Sequence, residues 1–372
     1  MRWCTRCVLP DTRPNLEFDD DGVCSACRGH GRRPSIDWNA RYAQFVNLVA
    51  EAKERNARYD CIIPVSGGKD STWQVITSLE HGLRPLAVTW KTPARTEVGA
   101  GNLAYLVALG VDHVDFQVNP AIERRFMRKA LARKGDPAIP MHMALFSIPM
   151  TIATWVGAPL VIWGENSAVE YGGDDHGAAR DMDDAWLVRF GVTHGTSAND
   201  WADEEMPLSS MAAYIGPTAA ELRARNVRPV FLGSYFAWDP EETLRVAESH
   251  GFRRNAGGAR VGYWDYADID DDFISVHHWL KWYKFGFTRL FDNLALEIRN
   301  GRMTREAAID VIRARGDETP HGDIKLMCEF IGIEVDDFFA VTEPFRNVTI
   351  WQRHPEHGRW YLPGFIIDDW NW

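Results

Sequence analysis

Between residues 58 and 170, short apolar runs alternate with longer stretches in which apolar positions recur at helical spacing. The runs 60–65, 86–90, 113–118 and 159–163 are brief, rich in Ile and Val, and bounded by turn residues, so each reads as a strand. Helices are predicted over 71–81, closed by Gly82, over 102–109, closed by Gly110, and over 122–133 and 141–156. This alternation predicts an α/β fold, a doubly wound parallel sheet with right-handed crossovers. Ligands of such a sheet bind beyond the carboxyl ends of its strands.

The flanks differ in pattern. From Asp37, the positions Tyr42, Phe45, Val46 and Val49 recur at helical spacing, which predicts an amphipathic helix packed on the sheet. Residues 174–206 are acidic and weakly periodic, and read as a long loop or lid with a short helix that sets specificity. Asp239-Pro240-Glu241-Glu242 opens a helix with a cap, a first-turn proline and acids near the positive end of the dipole. Further helices are expected at 277–287, from the cap Thr304 to Arg315, and over 324–331, ahead of an aromatic tail. The chain therefore divides into an N-terminal knuckle at 1–36, an α/β nucleotide-binding domain at 37–255 carrying the insert, and a mainly helical, aromatic-rich region at 256–372.

The first candidate chemistry sits where the first strand meets its helix, at Pro64-Val65-Ser66-Gly67-Gly68-Lys69-Asp70-Ser71-Thr72. Glycines there let backbone N–H groups close on a phosphate, and the helix dipole favours negative charge. The Walker A pattern fails, because Ile63 replaces its first glycine and Asp70 follows the lysine. What remains, Ser66, Gly67, Gly68, Lys69, Asp70 and Ser71, resembles the PP-loop of the ATP pyrophosphatases, which cleave ATP between its α- and β-phosphates. ATP phosphates require Mg²⁺, and Asp70 is a candidate ligand. Trp90 and Gly164 end two other strands at the same edge, and Glu165, Asn166, Glu170 and Tyr171 follow as candidate catalytic, metal or substrate contacts, with a helix cap the alternative for Glu165 and Glu170.

On a helix, His277, Lys281 and Lys284 share one face while Trp279, Trp282 and Tyr283 occupy another, with His278 between. Two readings stay open: a face that receives an anionic substrate over aromatic rings, or a basic surface over an aromatic core. Sixteen tryptophans, many beyond residue 260, suit either reading.

Cys4, Cys7, Cys24 and Cys27 form C-x2-C-x16-C-x2-C, the spacing of a structural zinc site with no open position for a catalytic water. A net charge of −11 argues against a broad nucleic-acid footprint. No apolar run approaching a membrane span and no signal-peptide core are read, so a cytoplasmic protein is expected.

These blocks together carry a resemblance. The paired C-x-x-C motifs, V-S-G-G-K-D-S-T, I-W-G-E-N-S-A-x-E-Y-G-G, H-H-W-L-K-W-Y-K-F-G-F-T-R-L-F-D-N-L, E-I-R-N-G-R-M-T-R-E-x-A and the closing D-W-x-W resemble the N-acetyl sugar amidotransferase family. These are PP-loop ATP pyrophosphatase-like enzymes of bacterial surface-polysaccharide pathways. The resemblance implies conversion of an acetamido to an acetamidino group with ATP, and ammonia from a separate glutaminase. On this reading Lys69, Asp70 and Glu165 are the catalytic candidates and Asn166, Glu170, Tyr171, His277, His278, Lys281 and Lys284 the substrate candidates, with the segment 277–287 contacting either the substrate or the glutaminase partner. A glutaminase within this chain is not expected: Arg2 stands where an N-terminal cysteine nucleophile would, Cys61 lies in a strand and Cys328 in a helical run. A tRNA-thiolating enzyme with zinc-binding C-x-x-C pairs is the alternative, and it rests on Cys61.

Overall fold

In the computed structural model, which describes residues 1–166, 170, 182 and 184–367, five strands form one parallel sheet. They are β1 (Cys61–Pro64), β2 (Pro85–Trp90), β3 (Asp112–Phe116), β4 (Leu160–Trp163) and β5 (Arg228–Phe231), in the order β3-β2-β1-β4-β5. The strands read as apolar runs because the inner ones are buried on both faces. Cys61, Ile63, Ala87, Leu160 and Ile162 pack on one side, and Ile62, Leu86, Val88 and Val161 on the other. The chain runs outward from β1 to β3, then returns to the opposite side for β4 and β5, so the order reverses between β1 and β4. That reversal opens a crevice at the carboxyl ends of these two strands.

The doubly wound sheet is the one the alternation predicts, but its fifth strand escaped the sequence reading. Arg228-Pro229 gives β5 a polar start and a proline, tolerated because β5 is an edge strand. The helix expected at 102–109 spans Glu97–Val107, where Gly99 and Gly101 blur the pattern and Thr96 accepts from the Gly99 N–H at 3.0 Å. The helix Trp38–Glu54 buries Phe45, Leu48, Val49 and Ala52, while Tyr42 and Val46 are 46% and 41% exposed, so its apolar stripe is rotated from the expected one.

The helix Ile139–Val156 is long and apolar enough to cross a membrane, which the reading of the apolar runs had not allowed. Here it is a core helix, with Met143, Ala144, Ile148 and Ile152 buried in the cluster that includes Ile62 and Val161. Of the acidic insert, the described part is better packed than a lid: the short helix Asp184–Phe190 carries buried Trp186, and Ala198, Trp201 and Met206 join the same core. Residues 174–181 and 183 of that insert, and the closing D-W-x-W motif, lie outside the described residues.

The cysteine-bearing segment shares its core with the C-terminal region. Val8, Leu9 and the four cysteines cluster with Phe287, Leu290, Phe291 and Leu294, and Trp3 donates its indole N–H to the Gly364 carbonyl at 2.7 Å. A segment this short holds its fold by burying apolar surface on the helix Arg289–Arg299.

Candidate active site

At the carboxyl ends of β1, β2, β4 and β5 lies a cavity of about 460 Å³. Its floor is the turn from β1 into the helix Lys69–Glu80. Gly67 takes φ +91, and a Cβ there would stand 2.7 Å from the Leu103 backbone N and 3.0 Å from the Gly99 carbonyl O. Only glycine fits that approach. The first N–H groups of the helix have no acceptor within the helix, and they open beside Ser66 and Gly68 on the cavity wall. The result is an anion cradle with the helix dipole behind it.

Lys69 is 4% exposed, and its Nζ lies 2.7 Å from both oxygens of Asp70 and 3.1 Å from Thr243 Oγ1. Trp238 fixes the other side of the pair, donating its indole N–H to Asp70 Oδ1 at 2.9 Å. Gly164, at the end of β4, leaves room for Gln74, whose amide N would be 2.3 Å from a Cβ there. Glu165 follows; burial, then the nearby Asp70 charge, pushes its carboxyl up to about 7.

A segment that sequence reasoning passed over completes the cavity beside the cradle. Trp264, Tyr266, Asp268, Asp270 and Asp271 all line it. Burial pushes Asp271 up to about 7 and also raises Asp270, against a hydrogen bond from Ser66. Against the same push of burial, Arg289 and His278 hold Asp268 below the usual carboxylate range. Arg289 Nε donates to Asp268 Oδ2 at 2.9 Å, and His278 Nε2 faces Oδ1 at 3.5 Å. The acidic run 268–272 was the available signal, but nothing local to it points at a cavity.

The structure gathers Ser66, Gly68, Lys69, Asp70, Ser71, Trp90, Gly164, Glu165 and His278 around this cavity, with Gly67 shaping the turn beneath. The other expected site residues stand elsewhere. Asn166 is buried and accepts from the Trp186 indole at 3.4 Å. Glu170 pairs with Arg33 at 3.0 Å, and burial, opposed by Arg33 and Arg299, pushes its carboxyl up to about 7. Tyr171 lies outside the described residues. His277 and Lys284 turn to the buried Asp136, at 3.1 and 3.9 Å, and Lys281 to Asp292 at 3.0 Å. The helix face carrying these three is thus neither a solvated basic surface nor part of the cavity wall; it meets buried carboxylates.

The four cysteine sulfurs lie within 4.8 Å of one another, with Cys4–Cys27 at 4.0 Å and Cys7–Cys24 at 3.7 Å. A tetrahedron with Zn–S bonds of about 2.3 Å has edges of about 3.8 Å, so the donor set fits a zinc ion. The Arg6 and Cys24 N–H groups donate to Cys4 Sγ at 3.4 and 3.3 Å, and Arg305 Nε donates to the Cys4 and Cys7 carbonyls. Such contacts orient the ligands around a metal.

Residues 261–362 match the family described as LPS biosynthesis protein WbpG-like, C-terminal domain. The C-terminal region is similar to LPS biosynthesis proteins. The matched range includes His278, Arg289 and three of the aspartates that wall the cavity, and it agrees with the resemblance to surface-polysaccharide enzymes read from the sequence. Among solved structures, NMN synthetase from Francisella tularensis is similar at 16% identity and a TM-score of 0.28, over 58% of this chain and 93% of that one. No curated protein matches the chain.

Proposed function

We propose that this LPS-biosynthesis-type protein is an ATP-dependent amidotransferase that converts an acetamido group of an N-acetyl sugar to an acetamidino group. The observation that carries this reading is the cradle of Gly67, Gly68 and Lys69 at the floor of a cavity walled by indoles and carboxylates. A cradle alone binds phosphate; the adjoining walls give space for a second reactant.

An amide carbonyl resists attack by ammonia until its oxygen becomes a leaving group. Transfer of AMP to that oxygen achieves this, with pyrophosphate departing into the cradle. Lys69 stabilises the charge that develops there, held ready by Asp70 and Thr243. Ammonia then displaces AMP and leaves the amidine. Asp70 and Glu165 are the residues to hold Mg²⁺, which neutralises phosphate charge; among the described residues no cation forms an ion pair with Glu165, which leaves its carboxylate available. The cysteine cluster stands apart from the cavity and is structural. Ammonia comes from a separate glutaminase, since Cys61 and Cys328 are both buried away from the cavity and burial pushes each thiol up. The same placement of Cys61 counts against the thiolation reading.

The test is ATP-to-AMP conversion with ammonium across a panel of nucleotide-linked N-acetyl sugars. Turnover that depends on the acetamido group is expected, and Lys69→Ala should lower it by on the order of 10². AMP release that depends on tRNA instead would overturn the reading.

A further inference from the structure

We propose that the C-terminal region holds a second ligand site, separate from the nucleotide cradle, which binds a saccharide against an aromatic wall. A cavity of about 370 Å³ lies there, within the range of small-molecule sites, roughly 300–1,000 Å³. Every residue of its wall falls between 279 and 360, inside the range matched by the LPS biosynthesis family, and none of them lines the main cavity. The site stands whether or not the amidotransferase reading holds.

Its wall combines fixed rings with charged groups. Trp282 and Trp360 are half-buried, beside the buried rings of Trp279, Tyr283 and Trp351. The Arg346 guanidinium packs among three of these rings, 3.9 Å from the centroid of Tyr283, 4.9 Å from Trp351 and 5.2 Å from Trp360, and pairs with Glu343 at 2.9 Å. The buried indoles are tied as well: Trp279 donates to Thr319 Oγ1 and Trp351 to the Tyr283 carbonyl, each at 3.1 Å. Rings fixed before a ligand arrives lower the ordering cost of binding it. The same wall carries Asp317, Glu318, Arg353 and Arg359. Asp317 and Arg359 are exposed, and the Arg359 guanidinium forms no ion pair among the described residues.

This mixture selects a ligand rich in hydroxyl groups. The negative face of an aromatic ring attracts the polarised C–H groups on the flat side of a sugar. Sugar hydroxyls both donate and accept, so they use carboxylates and guanidiniums on one wall. A phosphate only accepts, and Asp317 and Glu318 disfavour it, whereas an apolar ligand would cover charged groups without pairing them. Burial pushes the Glu318 carboxyl up to about 7 against the Thr288 hydroxyl, which donates to it at 2.6 Å, so near neutral pH this group meets a hydroxyl in either sense. A smaller cavity of about 200 Å³ shares Trp279, Thr288 and Glu318 with the aromatic cavity, and His278 and Arg289 with the main one. A saccharide on the aromatic wall thus lies beside a space that itself borders the main cavity, where it serves as the anchor of an extended substrate.

The experiment is calorimetric titration of the full chain, without ATP, using two probes: neutral N,N′-diacetylchitobiose and an acidic hyaluronan tetrasaccharide. UMP and inorganic phosphate are the counter-probes. Binding of a saccharide is expected, and Arg359→Ala and Asp317→Asn should each weaken it by about tenfold, the loss of one charge-assisted hydrogen bond. Arg359 is exposed and unpaired, so its variant should keep the wild-type unfolding midpoint, which separates lost binding from lost folding. Absence of binding by either saccharide at about 10 mM would overturn the assignment. Saccharide binding that both variants leave within about twofold of wild type belongs elsewhere in the molecule and would overturn it too. So would UMP or phosphate that binds in place of the saccharides and is weakened by the same two changes, since the wall would then read a nucleotide or an anion.

Discussion

Asp292→Asn tests what holds the N-terminal segment to the rest of the molecule. The Asp292 side chain is 1% exposed; it accepts from Arg13 Nε at 2.9 Å and from Lys281 Nζ at 3.0 Å. Arg13 belongs to the cysteine-bearing segment, Lys281 to the helix Ile274–Phe285 and Asp292 to the helix Arg289–Arg299, so one carboxylate ties three pieces together. Burial alone would push Asp292 up, but Lys281 and Arg13 hold it below the usual carboxylate range. Lys281 moves the other way from what a simple pair would give: burial, with Arg289 and Arg13 nearby, outweighs Asp292 and lowers it. The carboxylate gains from two cations, whereas the ammonium shares a single anion, so the anion dominates the balance.

Replacing the carboxylate with an amide leaves two largely buried cations without a counter-charge. Breaking such a pair costs about 3–5 kcal/mol. At about 2 °C per kcal/mol for a chain of this size, the thermal midpoint should fall by on the order of 6–10 °C. Calorimetry measures it, and the pair Asp292→Asn with Lys281→Met should cost less than the two single changes summed. The pH dependence has a definite sign. A carboxylate depressed in the folded state contributes stability above its unfolded value near 4, and loses it as pH falls through the folded value, so the gap between wild type and variant should begin to narrow below about pH 4 and close only well below it. A midpoint within 2 °C of wild type at pH 7 would refute the reasoning.

Three other changes probe separate parts. The purified protein should carry about one zinc per chain, and chelation should lower its unfolding midpoint; a zinc-free protein of full stability would exclude a structural metal. Cys61→Ala, at a fully buried position, should cost about 1 kcal/mol in a denaturant titration and retain AMP formation, whereas a folded but inactive variant would favour thiolation. Glu123 is 1% exposed and accepts from the Trp90 indole at 3.1 Å, and burial pushes its carboxyl up to about 8. Its folded form holds the proton that the unfolded chain loses, so wild-type stability should decline relative to Glu123→Gln by up to about 1.4 kcal/mol per unit between roughly pH 5 and 8. Parallel pH profiles for the two proteins would exclude this.

What was legible in the sequence is what local spacing encodes. The cradle needs a strand, two glycines and a helix within a dozen residues, and the cysteine pairs need only their own turns, so both are read without knowing what packs on them. The acidic wall beside the cradle is a different case. Asp268, Asp270 and Asp271 reach the cradle only because the chain returns across the sheet after the helix Pro240–Glu248, and the return is not written in their own neighbourhood.

The helix Ile274–Phe285 shows the limit most clearly. His277 and His278 are adjacent, so they point about 100° apart around the helix axis. Helical spacing groups His277 with Lys281 and Lys284, and that grouping is real, but it does not say what faces the group. Asp136 stands against His277 and Lys284, and Asp292 against Lys281, which turns a basic face into interior ion pairs. Asp268 stands against His278 at the junction of two cavities, and there the second nitrogen is left without a protein partner. Which histidine lines the cavity is therefore decided by two carboxylates from different parts of the chain, Asp136 and Asp268. A motif can nominate the pair, and only the packing separates the histidine held in the interior from the one on the cavity wall.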